Sequence, residues 1–155
     1  MRKRSNLSEG DMQIGVETSK AVDQRRVFVI DDDEITRAAL QFMLHDEIET
    51  HELASPEEAY DKGADWLRPD LVMLGASFLA RRGADLVGEM RARFAGVRVI
   101  IVCEKADEAV AVEGIKAGAN AVLVKPLTLD AVRSKVDTVL GRGGAAPLIR
   151  LGALT

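Results

Sequence analysis

The sequence predicts an α/β domain built on a five-stranded parallel sheet with helices on both faces. Two observations carry this. Short β-branched runs recur and end abruptly: Val27-Phe-Val-Ile30, Leu71-Val-Met-Leu74, Val97-Arg-Val-Ile-Ile-Val102 and Ala121-Val-Leu-Val124, with a weaker, alternating run near Ile48–Leu53. Segments with helical spacing separate them, at about 34–45, 56–66, 83–94, 107–117 and 129–140. Strands spaced by such helices make βαβ units, and near-continuous apolar strands fit a sheet covered on both faces.

Local punctuation agrees with each element. Asp31-Asp-Asp33 follows the first strand and suits the positive end of the helix that opens near 34. Ser55-Pro56-Glu57-Glu58 reads as an N-cap, a proline at the first helical position and a capping-box glutamate. The stretch Leu79-Ala-Arg-Arg82 is expected to be a loop after the third strand. Gly118 follows Ala117 as a helix stop. Thr128 can cap the last helix, with Asp130 favourable in its first turn.

The domain is expected to span 25–140. Residues 1–24 lack hydrophobic periodicity, and their four basic and four acidic residues balance, so they read as a flexible arm. Residues 141–155 form a second tail, with two arginines and no acid. Pro147-Leu-Ile-Arg-Leu-Gly-Ala-Leu154 is apolar for a spacer, so docking and fraying both remain open.

Bulk properties exclude some classes. The chain has 155 residues, 47% hydrophobic and 30% charged, as an ordinary globular domain has. The net charge of −4 disfavours general attraction to nucleic acid or an anionic membrane. One cysteine, Cys103, allows no internal disulfide and fits a cytoplasmic setting. The basic start is not followed by an apolar segment, so it is not read as a secretory signal. No apolar run approaches the about 20 residues of a membrane helix. His45 and His51 have no metal-ligand spacing.

In open parallel sheets, ligands bind beyond the carboxyl ends of the strands. Here those ends carry Asp31-Asp-Asp33, Gly75-Ala76, Cys103-Glu104 and Lys125-Pro126. These residues together resemble the receiver domain of two-component response regulators. Val27-Phe-Val-Ile-Asp-Asp-Asp-Glu-Ile-Thr-Arg37 is similar to that family's first strand, acid pair and first helix. Pro69-Asp-Leu-Val-Met-Leu74 is similar to its third strand, with Gly83 eight positions after Gly75. Ala117-Gly-Ala-Asn-Ala-Val-Leu-Val-Lys-Pro126 is similar to its fifth strand and lysine–proline signature.

The resemblance implies a flavodoxin-like, doubly wound sheet in the order 2-1-3-4-5. It implies phosphoryl transfer from a histidine kinase to an aspartate, with Mg²⁺ held by carboxylates. Carried over, Asp31 and Asp32 match the acid pair, Lys125 the lysine, Gly75 the acceptor and Cys103 the Thr/Ser position. Glycine has no nucleophile, so the family's acyl phosphate cannot form at 75. Its loss also removes a Mg²⁺ ligand, so Mg²⁺ at Asp31 and Asp32 is expected to be weak. The S–H of Cys103 is a poor donor to phosphate. Val122 replaces an aromatic often used as a switch. Lys125 is expected to pair with Asp31 or Asp32. Arg81 and Arg82 have two readings: a solvated rim, or one of them reaching the acid pair in the former metal region.

The leading expectation is a stand-alone, atypical receiver, not an enzyme. It would signal by phosphorylation-independent protein contact, with no cofactor required. Its output face would span roughly 107–140, including Val110, Ile115 and Val122. Expected partners are signalling proteins, a histidine kinase or phosphorelay component among them, with a homodimer left open. One alternative uses Asp32 or Asp33 as substitute acceptor. Another binds a nucleotide second messenger through Arg81, Arg82, Arg91 or the tail arginines.

Overall fold

A computed structural model describes residues 23–64 and 67–142 of the protein. Strands β1 (Asp23–Ile30), β2 (Ile48–Leu53), β3 (Leu71–Gly75), β4 (Arg98–Cys103) and β5 (Ala121–Val124) form one sheet. Their order is β2-β1-β3-β4-β5 and every neighbouring pair is parallel. This is the expected doubly wound, flavodoxin-like arrangement. Strand order reverses between β1 and β3, so a crevice opens at their carboxyl ends.

Six α-helices cover the sheet among the described residues: α1 (Glu34–Leu44), α2 (Pro56–Lys62), α3 (Ala76–Arg82), α4 (Asp85–Arg93), α5 (Glu108–Lys116) and α6 (Leu129–Leu140). The two-residue period of each strand divides the core in two. Phe28, Ile30, Val72, Leu74, Val99 and Ile101 face Phe78 and Leu79 of α3, Val87 and Met90 of α4, and Phe94 beyond it. Val27, Val29, Leu71, Met73, Ile100 and Val102 face Leu40 and Leu44 of α1 and Val132, Val136 and Leu140 of α6.

The caps form as expected at two helices. Ser55 accepts from the Glu58 N–H at 3.2 Å, and Thr128 from the Ala131 N–H at 3.2 Å. The Glu58 side chain returns to the Ala54 N–H, at 2.8 Å.

Three boundaries differ from expectation. The stretch expected as a loop, 79–82, belongs to α3, and the following helix therefore starts at Asp85 instead of 83. Ala76, Leu79, Ala80, Arg81 and Arg82 are strong helix formers, and burial of Phe78 and Leu79 anchors the turn. Gly83, at φ 90°, ends it by donating to the Leu79 carbonyl at 2.7 Å. Helix α2 stops at Lys62 rather than 66. There Gly63 lets the Phe94 ring approach, since a Cβ would stand 2.6 Å from its Cε1. Strand β1 starts at Asp23, inside the segment expected as an arm.

Asp23 belongs to an ion cluster at the sheet's amino edge. Arg142 reaches Asp137 at 2.7 Å, Glu47 at 3.2 Å and Asp23 at 3.4 Å. Arg25 pairs with Asp23 at 2.8 Å and donates to the Leu140 carbonyl at 2.9 Å. The Arg25 bonds hold the Asp23 carboxyl down at about 2. A depressed carboxyl stabilises the fold above its ordinary value and loses that effect as pH falls toward the folded value. Asp23→Asn is therefore expected to lower stability by about 1–2 kcal/mol at neutral pH. Urea unfolding at a series of pH values should show the gap close between about 4 and about 2. The apolar stretch 147–154, for which docking and fraying were both open, lies outside the described residues. No helix among the described residues is long and apolar enough to cross a membrane.

Candidate functional site

The carboxyl ends of β1, β3, β4 and β5 bring Asp31, Asp32, Gly75, Cys103 and Lys125 to one cleft of about 160 Å³. All five sequence-derived pocket residues line it. Their pairing, however, differs from expectation.

Asp31 is the buried member, at 5% exposure. Its Oδ1 accepts from the Asp33 N–H at 2.9 Å. Its carboxylate turns toward β3. A Cβ on Gly75 would stand 2.6 Å from Asp31 Oδ2 and 2.8 Å from its Cγ. Gly75 has an ordinary φ of −65°, so close approach, not backbone freedom, is what excludes a side chain there. Burial pushes the Asp31 carboxyl above the usual range, against the opposing pull of the Asp33 amide and Lys125.

Asp32 faces α3 instead. Ser77 Oγ donates to its Oδ1 at 3.0 Å and Arg81 Nη1 to its Oδ2 at 2.9 Å. Ser77 and Arg81 stand four residues apart, on one helical face. The Phe78 ring lies 5.0 Å from the Arg81 guanidinium carbon. The Arg81 bond holds the Asp32 carboxyl below its ordinary value. Of the two readings for the arginine pair, Arg81 meets the acid and Arg82 does not. Arg82 pairs with Glu57 at 2.7 Å and Glu89 at 3.3 Å.

Asp33 caps α1. Its Oδ1 accepts from the Ile35 N–H at 3.0 Å and its Oδ2 from Thr36 Oγ1 at 3.0 Å. The Thr36 hydroxyl is the main cause lowering its carboxyl.

Lys125 corrects the expected pairing with Asp31 or Asp32. Its Nζ pairs with Glu104 at 3.1 Å, donates to Thr36 Oγ1 at 2.9 Å and stands 4.0 Å from Asp33. The reason is competition: Arg81 holds Asp32, and Asp31 is turned into the space beside Gly75. Ser77 is the cleft residue that sequence reasoning missed, while Glu104 and Thr36 stood in the quoted motifs without being recognised as the partners of Lys125. Ser77 and Arg81 become a signal once 76–82 is read as a helix.

Cys103 is buried, at 2% exposure, and burial followed by Glu108, Asp107 and Glu104 pushes its thiol up. It remains a neutral thiol at physiological pH, a small apolar wall. Arg91, considered above for a nucleotide, donates to the Gly118 carbonyl at 2.6 Å.

The resemblance implies Mg²⁺ held by converging carboxylates. The residues present do not fit that role. Both Asp32 oxygens and both Asp33 oxygens already accept hydrogen bonds, and Asp31 leans to the Gly75 side of the cleft, apart from the Asp32–Arg81 pair. No group of three His, Cys, Asp or Glu among the described residues is arranged to hold a metal ion.

Of the expected output-face residues, Ile115 is exposed, at 40%. Val110 and Val122 are instead partly buried and packed on the core beneath. Val112 of α5, which sequence reasoning passed over, is the more exposed apolar residue, at 51%.

The family model described as the response regulator receiver domain matches residues 27–137. The chain belongs to the response regulator receiver family. As a receiver domain it takes part in two-component signalling, in which such domains interact with signalling proteins like kinases. It is 28% identical to a chemotaxis protein CheY of Halobacterium salinarum, over 75% of this chain and 97% of that protein. It is 31% identical to the transcriptional regulatory protein PrrA of Mycobacterium leprae, over 80% of this chain and 53% of that protein. The receiver chain thus spans nearly all of the first relative and about half of the second. A response regulator structure from Thermotoga maritima matches with TM-score 0.68 at 24% identity, over 76% of this chain and 98% of that one. That likeness concerns the fold.

Proposed function

We propose that this receiver is an atypical one that relays signals by protein–protein contact, without an acyl phosphate at position 75. The observation that carries this reading is Gly75 itself. It ends β3 where the family resemblance calls for the acceptor, it offers no nucleophile, and the Asp31 carboxylate occupies the space a side chain would need. The alternative acceptors are poorly prepared. Each oxygen of Asp32 and of Asp33 already accepts a hydrogen bond, which orients it away from in-line attack and lowers its nucleophilicity.

In this reading the protein is not an enzyme and works in the cytoplasm. Its partner is another two-component protein, a histidine kinase or phosphorelay component. Contact is made through the exposed side of α5, around Val112 and Ile115, rather than through Val110 and Val122.

Incubation with a small phosphodonor and Mg²⁺ tests this. Intact-mass measurement is expected to show no added phosphoryl group, whereas a true receiver run in parallel gains one. Stoichiometric labelling at an aspartate sinks the reading, and peptide mapping then identifies the acceptor.

A further inference from the structure

We propose that the Arg81 guanidinium, paired with Asp32, is the built-in counter-cation of this pocket's acids, and that it keeps Mg²⁺ out. The inference deepens the reading above and rests on it only in taking position 75 to supply no ligand.

Three observations carry the assignment. First, the acids are distributed instead of converging. Asp32 takes Ser77 and Arg81, Asp33 takes Ile35 and Thr36, and Asp31 leans into the space beside Gly75. A small, hard cation needs several oxygens on one centre, and no group of three such side chains among the described residues is arranged to supply them.

Second, the guanidinium is delivered by the fold. Helix α3 starts directly after Gly75, which puts residue 77 and residue 81 on the side facing β1. The Ser77 hydroxyl and the Arg81 guanidinium grip opposite oxygens of one carboxylate. The buried Phe78 ring lies alongside the Arg81 head group and limits where it can go.

Third, the other cation is occupied elsewhere. Lys125 serves Glu104 and the Thr36 hydroxyl. The Arg81–Asp32 pair, from α3 to the end of β1, is therefore separate from the pairs Lys125 makes with Glu104 and, at 4.0 Å, with Asp33.

The Arg81–Asp32 pair is more than a third exposed on both sides, 56% and 43%. Such a pair contributes little to folding stability. Its consequence is better read in cation affinity. One guanidinium charge and a doubly charged ion about 4 Å apart repel enough, even in water, to weaken binding about thirtyfold.

The test is a Mg²⁺ titration of the full chain, followed by amide chemical shifts of the residues at the ends of β1 and β3. Arg81→Ala, Arg81→Lys and Lys125→Ala are compared with the wild type, after circular dichroism has shown each to be folded. Arg81→Ala is expected to bind Mg²⁺ at least about tenfold more tightly than the wild type. Arg81→Lys should stay near the wild type, because the charge remains. Lys125→Ala should gain clearly less than Arg81→Ala, because its charge does not sit on Asp32. Equal binding by wild type and Arg81→Ala overturns the proposal, and so does no binding by either. An equal gain in Lys125→Ala also overturns it, since net charge and not position would then decide. Phosphodonor labelling is a separate readout: a labelled wild type defeats the functional reading and leaves the titration result for Arg81 standing.

Discussion

Gly75→Asp, the substitution that supplies the expected acceptor, should lower stability by about 1–3 kcal/mol rather than restore a phosphorylation site. Its Cβ would enter a space where Asp31 Oδ2 stands 2.6 Å away and Asp31 Cγ 2.8 Å away. Asp31 is buried and accepts from the Asp33 N–H, so moving its carboxylate aside strains its rotamer or gives up that bond. A second carboxylate there also adds like-charge repulsion in a site already unfavourable for charge. Adding Asp31→Ala to the same chain should recover a substantial part of the loss, because the two substitutions share one space and are not additive. Urea unfolding of the two single variants and the double variant measures this directly. A Gly75→Asp protein as stable as the wild type would show that Asp31 does not fill that space.

Phe28→Ala should have the largest effect on the fold, a loss of about 3–5 kcal/mol. The ring is fully buried on β1, meets Phe94 edge-to-face at 6.0 Å between centroids and touches His51 on β2. Its removal unsupports both the α4 side of the core and the strand that presents the acids. Domains are typically stable by about 5–15 kcal/mol, so this variant should unfold at a markedly lower temperature. Phe28→Leu, which keeps most of the volume, should lose clearly less. Thermal melts monitored by circular dichroism would rank the three proteins.

Much of the architecture was legible because its signals are local and repeated. The apolar runs of β1, β3 and β4 mark strands buried on both faces, that of β5 marks a partly buried edge strand, and Ser55 and Thr128 mark helix starts. The pocket's membership was legible too, since strand ends converge in any sheet of this order. Its wiring was not. Lys125 has several carboxylates within reach, and its choice of Glu104 follows from where Arg81 sits. That position depends on α3, whose seven residues are too few to show a full amphipathic period. The same shortness hid Ser77. The inward lean of Asp31 also left no mark in the sequence, because the space it enters lies beside Gly75, on a strand distant in the chain.

The cluster that ties Arg142 to Asp23 has a topological consequence. The first and last described residues meet at one point of the amino edge, 3.4 Å apart through their side chains. A short peptide joining residue 142 to residue 23 could therefore close the backbone into a ring without disturbing a strand. New termini could then be opened at the exposed turn around Gly96, where the backbone already bends at φ 79° and open space surrounds it. Such a permuted protein would keep the same sheet while beginning and ending between α4 and β4. The order in which the elements are read along the chain is thus separable from the arrangement they adopt in space.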